Sequence, residues 1–114
     1  MSLQKVTLPE LEKGEIAAFR LNLAKWTMFA DSLETLASVV FEIYLASEAD
    51  DSYTPIPTML YDAGSVTSNS MVQCNVTTDV AAAVKDTSYV IKAVMTCSSG
   101  HKYIAKGKFK VVVR

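Results

Sequence analysis

An apolar residue at nearly every second position over the last quarter of the chain, with a mixed parity between, constrains the fold more than any other feature. The first run, residues 87–97, has its apolar parity at Tyr89, Ile91, Ala93, Met95 and Cys97. A second run after residues 98–100 has it at Tyr103, Ala105, Gly107, Phe109, Val111 and Val113. This period is typical of strands with one face on a core, and Ser-Ser-Gly is turn chemistry. The sequence therefore predicts a long antiparallel hairpin.

The polar parity of the second run is basic, with Lys102, Lys106, Lys108, Lys110 and Arg114. Proteins that bind nucleic acid combine cations and stacking aromatic rings on one surface. Here Tyr103 and Phe109 lie on the opposite parity. We therefore interpret the lysines as the solvated face of a sheet, which also protects a strand edge, and we predict no nucleic-acid partner.

Shorter patterns predict further strands upstream. Alternating apolar positions are Phe19, Leu21 and Leu23, then Val39, Phe41, Ile43 and Leu45 within 38–45, then Val72, Cys74 and Val76. Residues 46–57 and 62–70 have loop composition, with an edge segment at 58–61 between them, and 77–86 predicts one helical turn with Asp79 as its N-cap. Six or seven short strands indicate an all-β fold, a small antiparallel β-sandwich. The alternative is an α+β domain in which residues 32–46 are helical.

Size and charge are consistent with one domain. The chain has 114 residues, of which 50% are hydrophobic, and a formal net charge of -1. This length buries a core without disulfide bonds, and no overall charge marks a polyanion binder. Acidic residues are concentrated in 1–62, whereas 87–114 has basic residues and no acidic one. We interpret this asymmetry as the result of strand pairing, with a charged interaction surface as the alternative.

An apolar N-terminal arm, residues 1–14, precedes the predicted sandwich domain of 15–114. Pro9 interrupts its apolar residues, and two arrangements are open: the arm folds back, or it lies on a neighbouring subunit by strand addition. Together with two loop tyrosines, the arm supplies the candidate protein-interaction residues: Leu3, Val6, Leu8, Leu11, Tyr53 and Tyr61.

Residues for catalysis are sparse. His101, next to a turn glycine, is the single histidine, so neither a histidine-based triad nor a zinc site is supported. The acidic stretch 48–51 lacks the spacing of a calcium-binding loop, and the glycines form no phosphate-binding motif. We therefore predict that the chain is not an enzyme and has neither a metal nor a cofactor. Trp26 is expected to anchor the core, with ligand stacking as the alternative.

The cysteines and the lengths of the apolar runs indicate the cellular compartment in which the protein is made. Cys74 and Cys97 fall within apolar alternation, so we expect two reduced core thiols, although one disulfide between them is geometrically open. The N-terminal residues contain no signal-peptide core, and no run approaches the ~20 apolar residues of a membrane span. We expect a soluble protein made in the cytoplasm, with no membrane partner.

Two stretches resemble a known family. Residues 17–43 have a short hydrophobic strand that ends at Trp26, then a polar turn, then a strand that opens with Ala37 and Ser38. Residues 87–113 have a strand that begins near Tyr89, a turn at 96–101 that reads Thr-Cys-Ser-Ser-Gly-His where the family reads Thr-Ser-x-Gly, and a basic-apolar return strand. Both patterns are similar to those of small immunoglobulin-like structural proteins of tailed bacteriophages, and most of all to fibre–tail adaptor proteins.

This resemblance implies an immunoglobulin-like β-sandwich and a non-enzymatic role in the virion. The chain would be an adaptor that joins tail or neck to fibres, present as a homo-oligomer or in many copies among tail, neck, fibre or capsid subunits. One alternative is a capsid decoration protein. Another is an immunoglobulin-like module for carbohydrate or host-surface ligands, with a candidate set of Trp26, Tyr44, Tyr53 and Tyr61.

Overall fold

Eight β-strands make up nearly all regular structure in residues 4–7, 10–25, 34–49 and 51–113, which a computed structural model describes. The strands are β1 (Gln4–Thr7), β2 (Leu11–Glu12), β3 (Ile16–Asn22), β4 (Leu36–Leu45), β5 (Ser65–Ser68), β6 (Met71–Thr77), β7 (Thr87–Cys97) and β8 (Lys102–Val112). Two 3₁₀ turns are present, at Leu23–Lys25 and Pro57–Met59. The α+β alternative is wrong, because the described part of residues 32–46 contains strand β4 and no helix.

The strands form two sheets. The larger sheet has the order β1-β8-β7-β4, with β2 also on β8, and the smaller has the order β3-β6-β5. Strands β1 and β2 run parallel to β8, and every other described pair is antiparallel. Because β1 and β2 follow one another along β8, they occupy one strand position, so the sandwich has seven positions.

The predicted hairpin is confirmed, and so is its inward parity as far as Val111, whereas Val113, predicted to be inward, is 54% exposed beyond the end of β8. Tyr89 of β7 lies opposite Phe109 of β8, and their rings stack at 5.7 Å. Phe109 and Val111 are 2% and 0% exposed, whereas Lys108 and Lys110 are exposed. The inward parity thus packs against the second sheet, as one-sided burial of an antiparallel sheet requires.

Aromatic side chains join the two sheets in the core. Phe19 of β3 meets Phe41 of β4 edge to face, with ring centroids 6.0 Å apart. The apolar positions predicted in β3, β4 and β6 point inward, and most are fully buried. Burial of side chains this large stabilises the fold by about 1.5–3 kcal/mol each.

The hydroxyl of Tyr89 fixes the turn that leads into β7. It donates a hydrogen bond to the carbonyl of Ala82 and accepts one from the backbone amide of Val84, both at 2.8 Å. A tyrosine at the start of this strand, bonded to the backbone just upstream, is the tyrosine corner of immunoglobulin domains. The sheet arrangement β4-β7-β8 against β3-β6-β5 is also theirs. The fold is therefore an immunoglobulin-like β-sandwich, as expected.

The helical turn predicted in residues 77–86, with Asp79 as its N-cap, is wrong. This segment contains bends and turns but no helix, and in one of the turns the carbonyl of Val80 accepts a hydrogen bond from the amide of Ala83 at 3.1 Å. The ammonium group of Lys13 donates to the carbonyls of Val80 and Ala83 at 2.6 and 2.8 Å. These distant contacts outweigh the helix propensity of three consecutive alanines.

Two loop predictions also need correction. Residues 62–70, predicted as a loop, contain β5, which pairs with β6 although its sequence is mostly polar. In the predicted edge segment 58–61, the first two residues are in a 3₁₀ turn, and only Leu60 pairs with a strand, in an isolated bridge to Val76. Ahead of β5, Gly64 has a φ of +79°, and a Cβ there would lie 2.5 Å from the ring of Phe41. Only glycine combines that φ with this approach.

Candidate interaction surface

One outer surface of the sandwich carries five of the 11 Lys and Arg residues of the chain, and we call it the lysine face. It is the outward parity of β4, of β7 and of β8 as far as Lys110, and its members are Ser38, Val40, Glu42, Tyr44, Ser88, Val90, Lys92, Val94, Thr96, Lys102, Ile104, Lys106, Lys108 and Lys110. Lys102, Lys108 and Lys110 are exposed, Lys92 and Lys106 are half-buried, and the face has a single acidic residue, Glu42. The predicted solvated face is confirmed, whereas the absence of a nucleic-acid partner stays a prediction.

An aliphatic row crosses this face. Val40 lies opposite Val94, and Val94 lies opposite Ile104 on the next strand. Val40 is 59% exposed, Ile104 is 38% exposed and Val94 is half-buried. Adjacent strands lie ~4.8 Å apart, so the row is about 10 Å long. Sequence reasoning did not single out these residues, because only the pairing register aligns three outward aliphatic positions from separate strands.

Lysines flank the row on both sides. Lys102 lies on one side of it along β8, and Lys108 and Lys110 lie on the other. All three are exposed, and within the described ranges none has an ion-pair or hydrogen-bond partner. Their cationic heads are therefore available to anionic groups of another molecule.

A tyrosine from the loop after β4 covers the far end of the lysine face. The ring of Tyr53 stacks on Tyr44 with centroids 4.0 Å apart, so Tyr44 is fully buried although its position points outward. The hydroxyl of Tyr53 donates to Glu42 and accepts a 3.3 Å hydrogen bond from Lys92, whose Nζ lies 5.2 Å from the ring centroid. The loop is thereby attached to the sheet by stacking, hydrogen bonding and a cation–π contact.

This arrangement changes the candidate set for a carbohydrate ligand. Tyr44 is inaccessible and Tyr53 is half-buried, so neither presents a free ring face for stacking. Tyr61 is 62% exposed and remains available, and Trp26 lies outside the described residues. As a candidate protein-interaction residue, Tyr53 is a half-buried anchor of its own loop, whereas Tyr61 is free to contact a partner.

The N-terminal arm folds back onto its own domain. In β1, Val6 pairs with Gly107 of β8, and in β2, Leu11 pairs with Val111. Leu11 is 5% exposed within the core of its own chain, and its contact with a neighbour stays a prediction. Leu3 and Leu8 lie outside the described residues.

Side-chain hydrogen bonds attach the end of the arm. The hydroxyl of Thr78 donates to the carbonyl of Glu12 at 2.6 Å and accepts from the amide of Glu15 at 2.9 Å. Thr78 is fully buried, so these bonds satisfy a group that burial alone would penalise. Of the two arrangements open from the sequence, the structure has the first, and a contact of the arm with a neighbouring subunit stays a prediction.

The histidine lies in a polar cluster at the tip of the hairpin. The carboxylate of Glu34 accepts a hydrogen bond from the hydroxyl of Ser99, and its other oxygen lies 2.7 Å from Nδ1 of His101. A nucleophilic serine needs a hydrogen bond to the base itself, and here the imidazole contacts the carboxylate instead. This geometry fastens the segment before β4 to the hairpin turn. Among the described residues, no group of three or more His, Cys, Asp or Glu could hold a metal ion.

Both cysteines are free and buried. Cys74 is 1% exposed and Cys97 is 2% exposed. Burial raises the pKa of the Cys74 thiol to about 12 and raises the pKa of Cys97 as well. Neither is therefore a reactive thiolate at neutral pH.

A polar cavity of about 250 Å³ lies beside Cys74, lined by Asp62, Gln73 and Asn75 among others. The side-chain amide of Asn75 donates to Asp62 at 2.7 Å, and the backbone amides of Gly64 and Asn75 donate at 3.1 and 3.2 Å. These hydrogen bonds, above all the one from the Asn75 side chain, lower the pKa of Asp62. The carboxylate is thus occupied within the chain.

Comparisons with known proteins add a general likeness. No protein-family model matches the chain, and no curated protein matches it. One similar solved structure comes from work on T cell specificity and activation by the bacterial superantigen toxic shock syndrome toxin-1. It is 10% identical, with 98% of this chain and 94% of that chain covered and a TM-score of 0.49. Murine CRIg is 12% identical, with 96% and 92% covered and a TM-score of 0.37.

At this low identity and TM-score, the likeness supports no function, and the fold assignment rests on strand order and the tyrosine corner.

No helix in the described residues is long and apolar enough to cross a membrane.

Proposed function

We propose that this chain is a non-enzymatic structural subunit of a tailed-bacteriophage virion, an adaptor that joins the tail or neck to the fibres. In this role it is present in several copies or as a homo-oligomer. Its partners are tail, neck, fibre or capsid subunits, and neither nucleic acid nor membrane is a ligand. The resemblance of residues 17–43 and 87–113 to tailed-phage structural proteins supports the virion setting.

The structural observation that supports the proposal is the aliphatic row of Val40, Val94 and Ile104 on a rigid sheet face. Exposed aliphatic groups gain free energy when another protein covers them. Strands β7 and β8 have hydrogen-bonded neighbours on both sides, and β4 pairs with β7 along its length, so such a face loses little conformational entropy on binding. A flat surface of this kind suits contact with a neighbouring subunit.

The size of the face is consistent with a repeated contact. Strand β8 has 11 residues. At ~3.3 Å per residue and ~4.8 Å between strands, three strands present about 500 Å². A stable interface buries roughly 800 Å² on each partner, so one copy would bind weakly. Several copies in a symmetric particle would bind together far more tightly.

The test is the position of the chain in particles from the phage genome that encodes it. We expect quantitative mass spectrometry to find a fixed copy number, electron microscopy to locate the chain where fibres attach, and gene deletion to give particles without fibres. Location on the head surface would assign the chain to capsid decoration instead. Absence from purified particles, together with glycan binding by the free monomer, would contradict the proposal in favour of a carbohydrate-binding module.

A further inference from the structure

We infer that the lysine face docks a partner protein whose surface has an apolar ridge flanked by carboxylates. The inference rests on the proposed function for its setting, and it adds which surface binds and what chemistry the partner presents. The partner's ridge would cover Val40, Val94 and Ile104, and its carboxylates would meet Lys102, Lys108 and Lys110.

The aliphatic row sets the apolar part of the partner. Its three members project from adjacent strands in register, so a single ridge can contact all of them at once. Val40 and Ile104 are the exposed ends, and the half-buried Val94 lies between them. Such a ridge would exclude water from the row, which strengthens the charge contacts at its margins.

The flanking charges set the sign of the partner. Glu42 is the single acidic member of the lysine face, and the hydroxyl of Tyr53 already donates to it. Lys102, Lys108 and Lys110 have no anionic partner in the described part of the chain. Complementary carboxylates would speed association and fix the register of docking.

The lysine face of a second copy of this chain does not fit this face. Two lysine faces brought together would oppose cation to cation, and such juxtapositions cost several kcal/mol in general. Nucleic acid fits less well than an acidic protein, because the outward apolar groups are aliphatic. Phe109 is buried on the inward parity, and the ring of Tyr53 is already occupied by Tyr44 and Lys92. A base therefore finds no stacking platform here.

The probes for the test are two ten-residue peptides with capped ends, one alternating valine and glutamate and the other alternating valine and lysine. Each is titrated into the full chain while methyl NMR signals of Val40, Val94 and Ile104 are followed. We expect the glutamate peptide to shift all three signals at low salt, and about 0.5 M salt to weaken its binding at least tenfold by screening. We expect the lysine peptide to leave them unchanged.

Two matched variants locate the contact. Val40→Glu places a carboxylate in the row, and Ile16→Glu makes the same change on the outer side of β3 in the other sheet. Val40 and Ile16 have similar exposure, 59% and 53%, so circular dichroism should find both variants folded. We expect at least tenfold weaker binding of the glutamate peptide to the first variant and unchanged binding to the second.

Several results would overturn the inference. Equal binding of both peptides would show that the partner's negative charge is not recognised. Equal loss of binding in both variants would show that the peptide does not bind at the aliphatic row. Self-association of the wild-type chain that Val40→Glu abolishes would make a second copy the occupant. If a single-stranded oligonucleotide binds more tightly than the glutamate peptide at physiological salt, the occupant of the lysine face is nucleic acid. Failure here with the chain still found at the fibre base would leave the proposed function in place and reject this surface.

Discussion

The two outer faces of the sandwich obey the same alternation but differ in chemistry. On the smaller sheet, polar groups find partners within the chain: Nε of Arg20 donates to Gln73 at 2.7 Å, and Asn75 donates to Asp62 at 2.7 Å. On the lysine face, an aliphatic row and exposed lysines point into water. A hydrogen-bonded neutral face is stable in water as it is, whereas exposed aliphatic groups beside unpaired cations gain from a complementary surface. A water-facing parity alone therefore does not distinguish a passive face from an interaction face.

The largest expected effect tests the close contact between Gly64, ahead of β5 in the smaller sheet, and Phe41 of β4 in the larger sheet. Gly64→Ala forces an L-residue to positive φ and pushes its methyl group into the ring of Phe41, so we expect a loss of about 3 kcal/mol in the free energy of unfolding by urea. The matched control is Gly100→Ala, where φ is +98° but no atom lies within 4 Å, with an expected loss of about 1 kcal/mol. Equal losses would show that Phe41 does not hold the sheets at this distance.

A smaller effect tests the covered end of the lysine face. Tyr53→Ala removes the ring that stacks on Tyr44 together with its hydrogen bonds, so we expect a loss of about 2 kcal/mol in the free energy of unfolding. Tyr61→Ala, at an exposed position, should change it by less than about 0.5 kcal/mol. Thermal or urea unfolding of both variants measures the difference. If the two behave alike, the loop does not cover this face.

Acid unfolding tests the hydrogen bonds of Asp62 on the outer face of the smaller sheet. The pKa of Asp62 is lowered from 3.8 in the folded state, so its stabilising effect is fully present above the unfolded-state value and is lost as pH falls through the lower folded-state pKa. We expect Asp62→Asn to flatten the loss of stability below about pH 4, as measured by urea midpoints against pH. Identical acid profiles for the variant and the wild type would mean that Asn75 does not stabilise the carboxylate.

The smallest expected effect separates folding from binding. Replacing Lys102, Lys108 and Lys110 together with alanine should change the free energy of unfolding by less than about 0.5 kcal/mol for each site, because exposed side chains without partners contribute little. Urea unfolding measures this change. A large decrease in the free energy of unfolding would show that these lysines stabilise the sheet and are not free to bind a partner.

Local alternation was enough to predict the hairpin of β7 and β8 and the inward residues of β3, β4 and β6. Strand β5 escaped prediction because Ser-Val-Thr-Ser is polar, and its pairing depends on β6. The turn in 77–86 was predicted as helical because the contacts that shape it come from Lys13 and Tyr89, and Lys13 is distant in the chain.

The candidate site was predicted less well than the fold. Apolar character in the arm indicated a surface for a neighbour, yet Leu11 is in the core of its own chain. Tyr53 was expected at a contact, and it is instead stacked on an outward tyrosine of β4. The aliphatic row was invisible because each member is a lone apolar residue in its own strand.

The period of two in the sequence by itself determined which side of each long strand is buried, since neighbouring side chains of a strand must point to opposite faces. Tertiary structure decided which outward residues become neighbours, because the register between strands aligns residues as distant as Val40 and Ile104. It also decided that β1 and β2 lie along β8 and that Tyr53 covers Tyr44. Such contacts join residues far apart in the chain, so they cannot be predicted from the local alternation of apolar and polar residues.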